Sequence, residues 1–230
     1  MVFNKIVPRV LFLILPFLFS SLLEARSSSP IRLVSNAQKE SLTLAKAKGP
    51  LIVLDAGHGG KDEGATVRAL QEKKLTLLTI MYTKRHLESL GYRVLLTRAK
   101  DIYVPLSKRV MLANNMKCKL FVSVHFNSAP NHMAKGLEAY YAGDTTDRGL
   151  ASRKLANYML HYVMGETKTL SRGVKPGKHL YVVRETKMPA VLFEAGFMTN
   201  PDEWSKIKDK DYLNKIAKGI CQGVDNYLRS

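Results

Sequence analysis

Between residues 51 and 194, short apolar runs rich in β-branched residues alternate with longer stretches of helical periodicity. That alternation restricts the chain to an α/β fold built on a largely parallel sheet. Six runs read as strands: LIVLD (51–55), YRVLLTR (92–98), KLFVSV (119–124), GLEAYYA (136–142), HLYVV (179–183) and AVLFE (190–194). Helices are expected over about 69–90, 105–117, 147–164 and 209–228, with a short turn near 202–207. Gly91 supplies a stop signal for the first helix, and Pro105 suits the first turn of the second. The expectation is a single α/β domain over residues 50–230, with a mixed, mostly parallel sheet of about six strands flanked by helices.

The first 25 residues differ in kind. Lys5 and Arg9 give a basic start, VLFLILPFLFSSLL is an apolar block, and Ala25 ends a small-residue cleavage pattern, so residues 1–25 read as a secretory signal peptide. The block is interrupted by Pro16 and is shorter than the roughly 20 apolar residues a membrane span needs. No cysteine follows it to carry a lipid. Residues 26–49 are polar and patternless and read as a linker.

The formal net charge is +17, and removing Lys5, Arg9 and Glu24 with the leader lowers it by only one. A chain this basic favours polyanions, but export makes nucleic acid an unsuitable partner. The expected partners are a carboxylate-bearing wall polymer and, by peripheral contact, anionic membrane lipid. The place of action is then the periplasm or cell envelope. Cys118 and Cys221 can form one disulfide or lie buried as small hydrophobes. With no coiled-coil seam, a monomer is expected.

In an open α/β sheet, sites form beyond the carboxyl ends of the strands. LIVLD runs into AGHGG and so places His58 just past its strand. KLFVSV runs into His125, Phe126 and Asn127, and AVLFE ends on Glu194. Two imidazoles and a carboxylate with an open fourth position make a catalytic zinc site. Glu72, opening the helix after the Gly-rich loop, is the natural third ligand, with Asp62 and Glu63 competing from nearer His58. Glu194, ending a buried strand, suits a base that accepts the proton of an activated water and does not hold the metal. Amide hydrolysis follows from that combination. Asn127 is a candidate for substrate contact.

Each residue also has a structural reading: a histidine in a loop, a solvated Glu72, a capping Glu194. Among the other histidines, His86 is expected on a solvated helix face, His161 in packing, His132 within reach of a substrate and His179 at a strand start.

Taken in order, LDAGHGGKDEGA, QEKKLTL, VSVHFNS and SRGVKPGKHLYVVRETKMPAVLFEAGFMTN resemble the zinc-dependent N-acetylmuramoyl-L-alanine amidases of the amidase 3 family. The resemblance covers about residues 50–228. It implies zinc bound by His58, Glu72 and His125, with Glu194 catalytic. It further implies cleavage of the amide between N-acetylmuramic acid and the L-alanine of the peptidoglycan stem peptide, in wall remodelling or cell division. The substrate is then peptidoglycan or its stem-peptide fragments. Ala56 and Glu63 stand where the family usually has proline, which affects loop stiffness. Between His125 and Glu194 there is no room for the blocking helix that some members carry.

Two other functions compete. Ser205 and Lys208 form an S-x-x-K pair of the kind used by serine-type penicillin-binding peptidases, without the companion S-D-N and K-T-G motifs. A non-catalytic peptidoglycan-binding protein could keep the fold and the basic surface.

Overall fold

The computed structural model describes residues 48–230; the leader and all but the last two residues of the linker lie outside the described residues. Its central strand-forming runs are those dominated by apolar residues. β1 (Leu51–Ala56) is buried along its whole length and pairs in parallel on both sides, with β4 (Arg93–Leu96) and β5 (Leu120–Asn127). A strand buried on both faces has no polar side to alternate with, which is why LIVLD reads as a continuous run. β5 pairs in parallel with β8 (Ala190–Phe197), placing His125 opposite Glu194. β6 (Leu137–Tyr141) lies antiparallel to β8, and β7 (Ser171–Pro176) closes the far edge parallel to β6. The six-stranded order is β4-β1-β5-β8-β6-β7.

A two-stranded hairpin, β2 (Thr66–Val67) and β3 (Leu70–Gln71), takes the first residues assigned above to the first helix. That helix, α1, spans Glu72–Ser89 and stops before Gly91, whose φ of +89° continues the chain in the left-handed region. The remaining helices are α2 (Leu106–Asn115), α3 (Asp147–Thr167), α4 (Tyr181–Arg184), α5 (Pro201–Ile207) and α6 (Lys210–Arg229).

One expected strand is not a strand. HLYVV puts His179 in an exposed turn and folds its tail into α4, whose Val182 and Val183 are buried under the sheet. The sixth strand is SRGVKP, which lacks apolar alternation because it is a largely exposed edge and ends at a proline that an edge tolerates. His161, expected in packing, is exposed on α3 with its ring edge-on to Tyr162.

The two faces of the sheet are covered unequally. Ile52, Leu54, Val122, Val124, Val191 and Phe193 pack into one cluster with α1, α3 and α6. The alternate positions Val53, Phe121, Ala190 and Leu192 pack with the short helices α2 and α4. Towards their carboxyl ends the strands of this second face carry Asp55, Ser123, His125 and Glu194 in place of apolar side chains. The site therefore opens on the face with the shorter helices. Cys118 and Cys221 are free and buried in different clusters, so the buried-thiol alternative holds.

On the long-helix face, α3 and α6 meet at two glycines. A Cβ on Gly219 would lie 2.5 Å from Val163 Cα, and one on Gly223 would lie 2.7 Å from Met159 Cα. Alanine at either position gains helix propensity worth about 1 kcal/mol, but the overlap with a neighbouring backbone exceeds that gain. Gly219→Ala and Gly223→Ala are each expected to lower stability by about 1–3 kcal/mol. Urea unfolding measures this; an unchanged or raised midpoint would contradict so close a helix contact.

Candidate metal centre

His58 sits two residues beyond the end of β1 with φ +60°, a conformation uncommon for a non-glycine residue. Two buried arginines hold it there. Arg109 donates from Nη1 to Ala56 O at 2.6 Å and from Nη2 to His58 O at 2.8 Å. Arg98 donates from Nε to Ala56 O at 3.0 Å and from Nη2 to Gly57 O at 2.7 Å. Arg109 is in turn fixed by Asp55, whose carboxylate also accepts from Ser123 and Thr97. Burial works against the ionised form of Asp55, but the Arg109 charge and these hydrogen bonds outweigh it and hold its pKa below the ordinary carboxylate value.

Two of the loop glycines are needed for space. A Cβ on Gly57 would fall 2.3 Å from the His125 ring, and one on Gly64, at φ +66°, would fall 2.5 Å from Glu72 Oε2. The loop thus lets His58 and His125 come together, with ring centroids 4.9 Å apart in an edge-to-face arrangement.

Glu72 reaches this point from the first turn of α1. Its Oε1 lies 3.0 Å from His58 Nε2 and 3.0 Å from His125 Nδ1, and it also accepts from Phe126 N at 3.1 Å. Its Oε2 accepts from Ala65 N at 2.9 Å. Desolvation opposes its charge, yet the hydrogen bonds from the two histidines hold the carboxylate far below its usual range. Among the described residues, His58, Glu72 and His125 are the one group of three or more His, Cys, Asp or Glu side chains able to hold a metal, their ligand atoms all within 4.8 Å of one another. Zinc suits the donor set: two imidazole nitrogens and one carboxylate oxygen, with a fourth position left for water. The far nitrogen of His58, Nδ1, contacts Asp62 Oδ1 at 2.9 Å, the kind of outer partner that orients a metal-binding histidine.

The competitors of Glu72 are thereby occupied elsewhere. Asp62 engages the Nδ1 side of His58, and Glu63 accepts from Gln71 and Thr66 across the hairpin. Glu194 lies opposite His125 on β8, outside the three-residue cluster. Its Oε2 is sealed from solvent without a hydrogen-bond partner. Desolvation pushes its pKa up to about 7, with further upward pressure from Glu72 and Glu138 and downward pressure from the two histidines.

Asn127 is half-buried beside the centre; its Nδ2 donates to Glu138 Oε2 at 3.0 Å and its Oδ1 accepts from Ser128 N at 2.8 Å. His132 is exposed in the loop after β5, and its carbonyl accepts from Asn200. His86 lies far away and contacts Asn214. Ser205 and Lys208 do not meet: Ser205 Oγ donates to Asp202 O, and the Lys208 ammonium sits 4.7 Å from the centroid of the Trp204 ring. The long helix between His125 and Glu194, α3, packs on α6 and the opposite face of the sheet.

Sequence reasoning passed over Asp55, Arg98, Arg109 and Glu138. The signal available for Asp55 was a carboxylate ending an otherwise apolar run, where a buried cation had to be found for it. For Glu138, a lone acid within GLEAYYA carried the same message.

Residues 52–226 match the family described as Amidase_3, N-acetylmuramoyl-L-alanine amidase. The chain is 35% identical over 181 residues to the N-acetylmuramoyl-L-alanine amidase LytC of Bacillus subtilis, covering 79% of this chain but 36% of LytC. Among solved structures, an N-acetylmuramoyl-L-alanine amidase from Clostridium difficile 630 superposes with a TM-score of 0.75 at 34% identity, covering 79% of this chain and 98% of that one. The CwlD amidase of Clostridioides difficile, determined in complex with the GerS lipoprotein, superposes with a TM-score of 0.74 at 30% identity over 79% of this chain and 99% of CwlD.

Proposed function

The chain belongs to the Amidase_3 family of N-acetylmuramoyl-L-alanine amidases, and from that premise we propose that it is a zinc-dependent enzyme of the bacterial cell wall. Its reaction is hydrolysis of the amide joining the lactyl group of N-acetylmuramic acid to the L-alanine of the stem peptide. The observation that carries the zinc reading is the convergence of two imidazole nitrogens on one Glu72 oxygen, beside a strand bearing a half-buried carboxylate with one sealed oxygen.

Zinc held by His58, Glu72 and His125 would polarise the scissile carbonyl and make a water molecule acidic near neutral pH. Glu194 accepts the proton of that water at a carboxylate oxygen while the water oxygen bonds to the lactyl carbonyl carbon. Glu194 then delivers the proton to the leaving nitrogen as the carbon–nitrogen bond breaks, which gives a lactyl carboxyl group and a free alanine amine. A carboxyl with a pKa near neutrality can do both. Asn127 serves the substrate side through its bond to Glu138.

Residues 1–25 act as an export leader and residues 26–49 as a linker to the catalytic domain, 50–230. That places the enzyme in the periplasm or cell envelope, in wall remodelling or division, as a monomer whose basic surface permits peripheral contact with anionic lipid. No helix among the described residues is long and apolar enough to cross a membrane.

Purified protein incubated with peptidoglycan should generate new alanine N-termini without new reducing sugar ends. A chelator should stop the release, and zinc should restore it. Protein that binds the wall in the presence of zinc but frees no peptide would instead support the wall-binding reading.

A further inference from the structure

Beyond Glu194, the next strand carries a buried carboxylate that the hydrolysis itself does not use. Glu138 on β6 lies opposite Glu194 in the antiparallel register and is 2% exposed. Four donors saturate it. Oε1 accepts from Arg172 Nε at 2.6 Å and Lys175 Nζ at 2.5 Å, while Oε2 accepts from Tyr140 OH at 2.7 Å and Asn127 Nδ2 at 3.0 Å. Burial opposes the charge of Glu138, but these hydrogen bonds, led by those from Lys175 and Arg172, keep it ionised.

One cation would neutralise Glu138; two leave a positive charge in excess. Both cations stand on the edge strand β7 with side chains 40% and 35% exposed, so neither is locked away from a ligand. Arg172 spends only Nε on Glu138, and its guanidinium lies 5.1 Å from the Phe197 ring centroid. Among the described residues its two Nη groups have no acceptor, and a guanidinium held in this way is preorganised to grip a carboxylate.

The chemistry gives the row a direction. Glu194 protonates the leaving amine, so the peptide fragment lies on the Glu194 side of the metal cluster. In the sheet order β5-β8-β6-β7, continuing from His125 past Glu194 leads to Glu138 and then to Arg172 and Lys175. We propose that Arg172 and Lys175, braced by Glu138, form a carboxylate clamp for the stem peptide, so that the enzyme prefers an acidic peptide to its amidated counterpart. The proposal rests on the amidase reading for its choice of ligand.

The test is calorimetric titration of the zinc-loaded Glu194→Gln protein with N-acetylmuramoyl-L-alanyl-D-glutamate and with the diamide of that compound. The acid should bind at least tenfold more tightly. Arg172→Met and Lys175→Met should each weaken the acid roughly tenfold and leave the diamide unchanged, while Arg172→Lys should recover part of the loss. Equal affinity for acid and diamide in the Glu194→Gln protein overturns the clamp, and that comparison stands even if a β7 variant fails to fold. Variants that lose both ligands alike also overturn it, since a purely structural role predicts that pattern. Wild-type enzyme assayed on the same two compounds separates the two ideas: selective binding without hydrolysis removes the amidase reading and keeps the clamp, whereas hydrolysis without selectivity does the reverse.

Discussion

Glu194→Gln is expected to lower kcat by about 10²–10⁴-fold, the usual contribution of a positioned general acid–base, while the protein still binds one equivalent of zinc. Glutamine keeps the shape of the side chain but can neither accept the proton of water nor pass it to the leaving amine. His58→Ala, His125→Ala and Glu72→Ala should instead lose the metal along with activity, since each removes one of the three proposed ligands. Elemental analysis beside a peptide-release assay distinguishes the groups. Equal zinc loss in all four variants would refute the division between ligands and base. The pH profile follows from the same residue. In the proposed mechanism Glu194 works as the carboxylate; its pKa is raised to about 7, and below that value it is protonated and unable to accept a proton. Activity should therefore rise with pH through an acid limb and level off above it. A bound dication favours the carboxylate and moves this limb to or below pH 7. Glu194→Gln should lack the limb, and a wild-type profile flat between pH 5 and 8 would count against Glu194 as the base.

Asp55→Asn is expected to cost about 3–5 kcal/mol of stability, because it leaves Arg109 charged and buried without its counter-ion. The pair is tight and dry: Nη1 to Oδ1 is 2.7 Å, with the Arg109 and Asp55 side chains 3% and 1% exposed. The same change loosens the Arg109 grip on Ala56 O and His58 O, so zinc affinity should fall with stability. A pH dependence accompanies it. Asp55 has its pKa lowered in the folded protein, so its stabilising contribution is fully present above the ordinary carboxylate value near 4 and is lost as pH falls through the folded value. Urea midpoints between pH 3 and 7 should drop on the acid side in wild type, and that drop should be shallower in the variant. Identical acid limbs in the two proteins would show that Asp55 does not carry this dependence.

The parts of the fold legible in the sequence were those in which one segment carries its own instruction. LIVLD, KLFVSV and AVLFE are dominated by apolar residues and became adjacent central strands. The residues ending or following those strands, His58, His125 and Glu194, could be placed at one sheet edge because parallel strands bring their carboxyl ends together. HLYVV has the look of a strand and is not one, and SRGVKP is a strand without the look of one, for the opposite reason. An edge strand receives its structure from the neighbour it bonds to, and a single helical turn with two buried valines has the composition of a strand. Local pattern could not tell them apart.

Chain order and residue type alone determined an α/β domain and a small set of histidines and carboxylates at its strand ends. Only the tertiary structure showed which carboxylate meets both histidines. Asp62 is closer to His58 in sequence than Glu72 is yet turns to its Nδ1, whereas Glu72 comes in on a separate helix to meet Nε2 of His58 and Nδ1 of His125 together. The same holds for Asp55 with Arg109 and for Glu138 with Arg172 and Lys175, pairs separated by 54, 34 and 37 residues. A buried charge must find its counter-charge in space, and that partner is set by how strands and helices pack together rather than by distance along the chain.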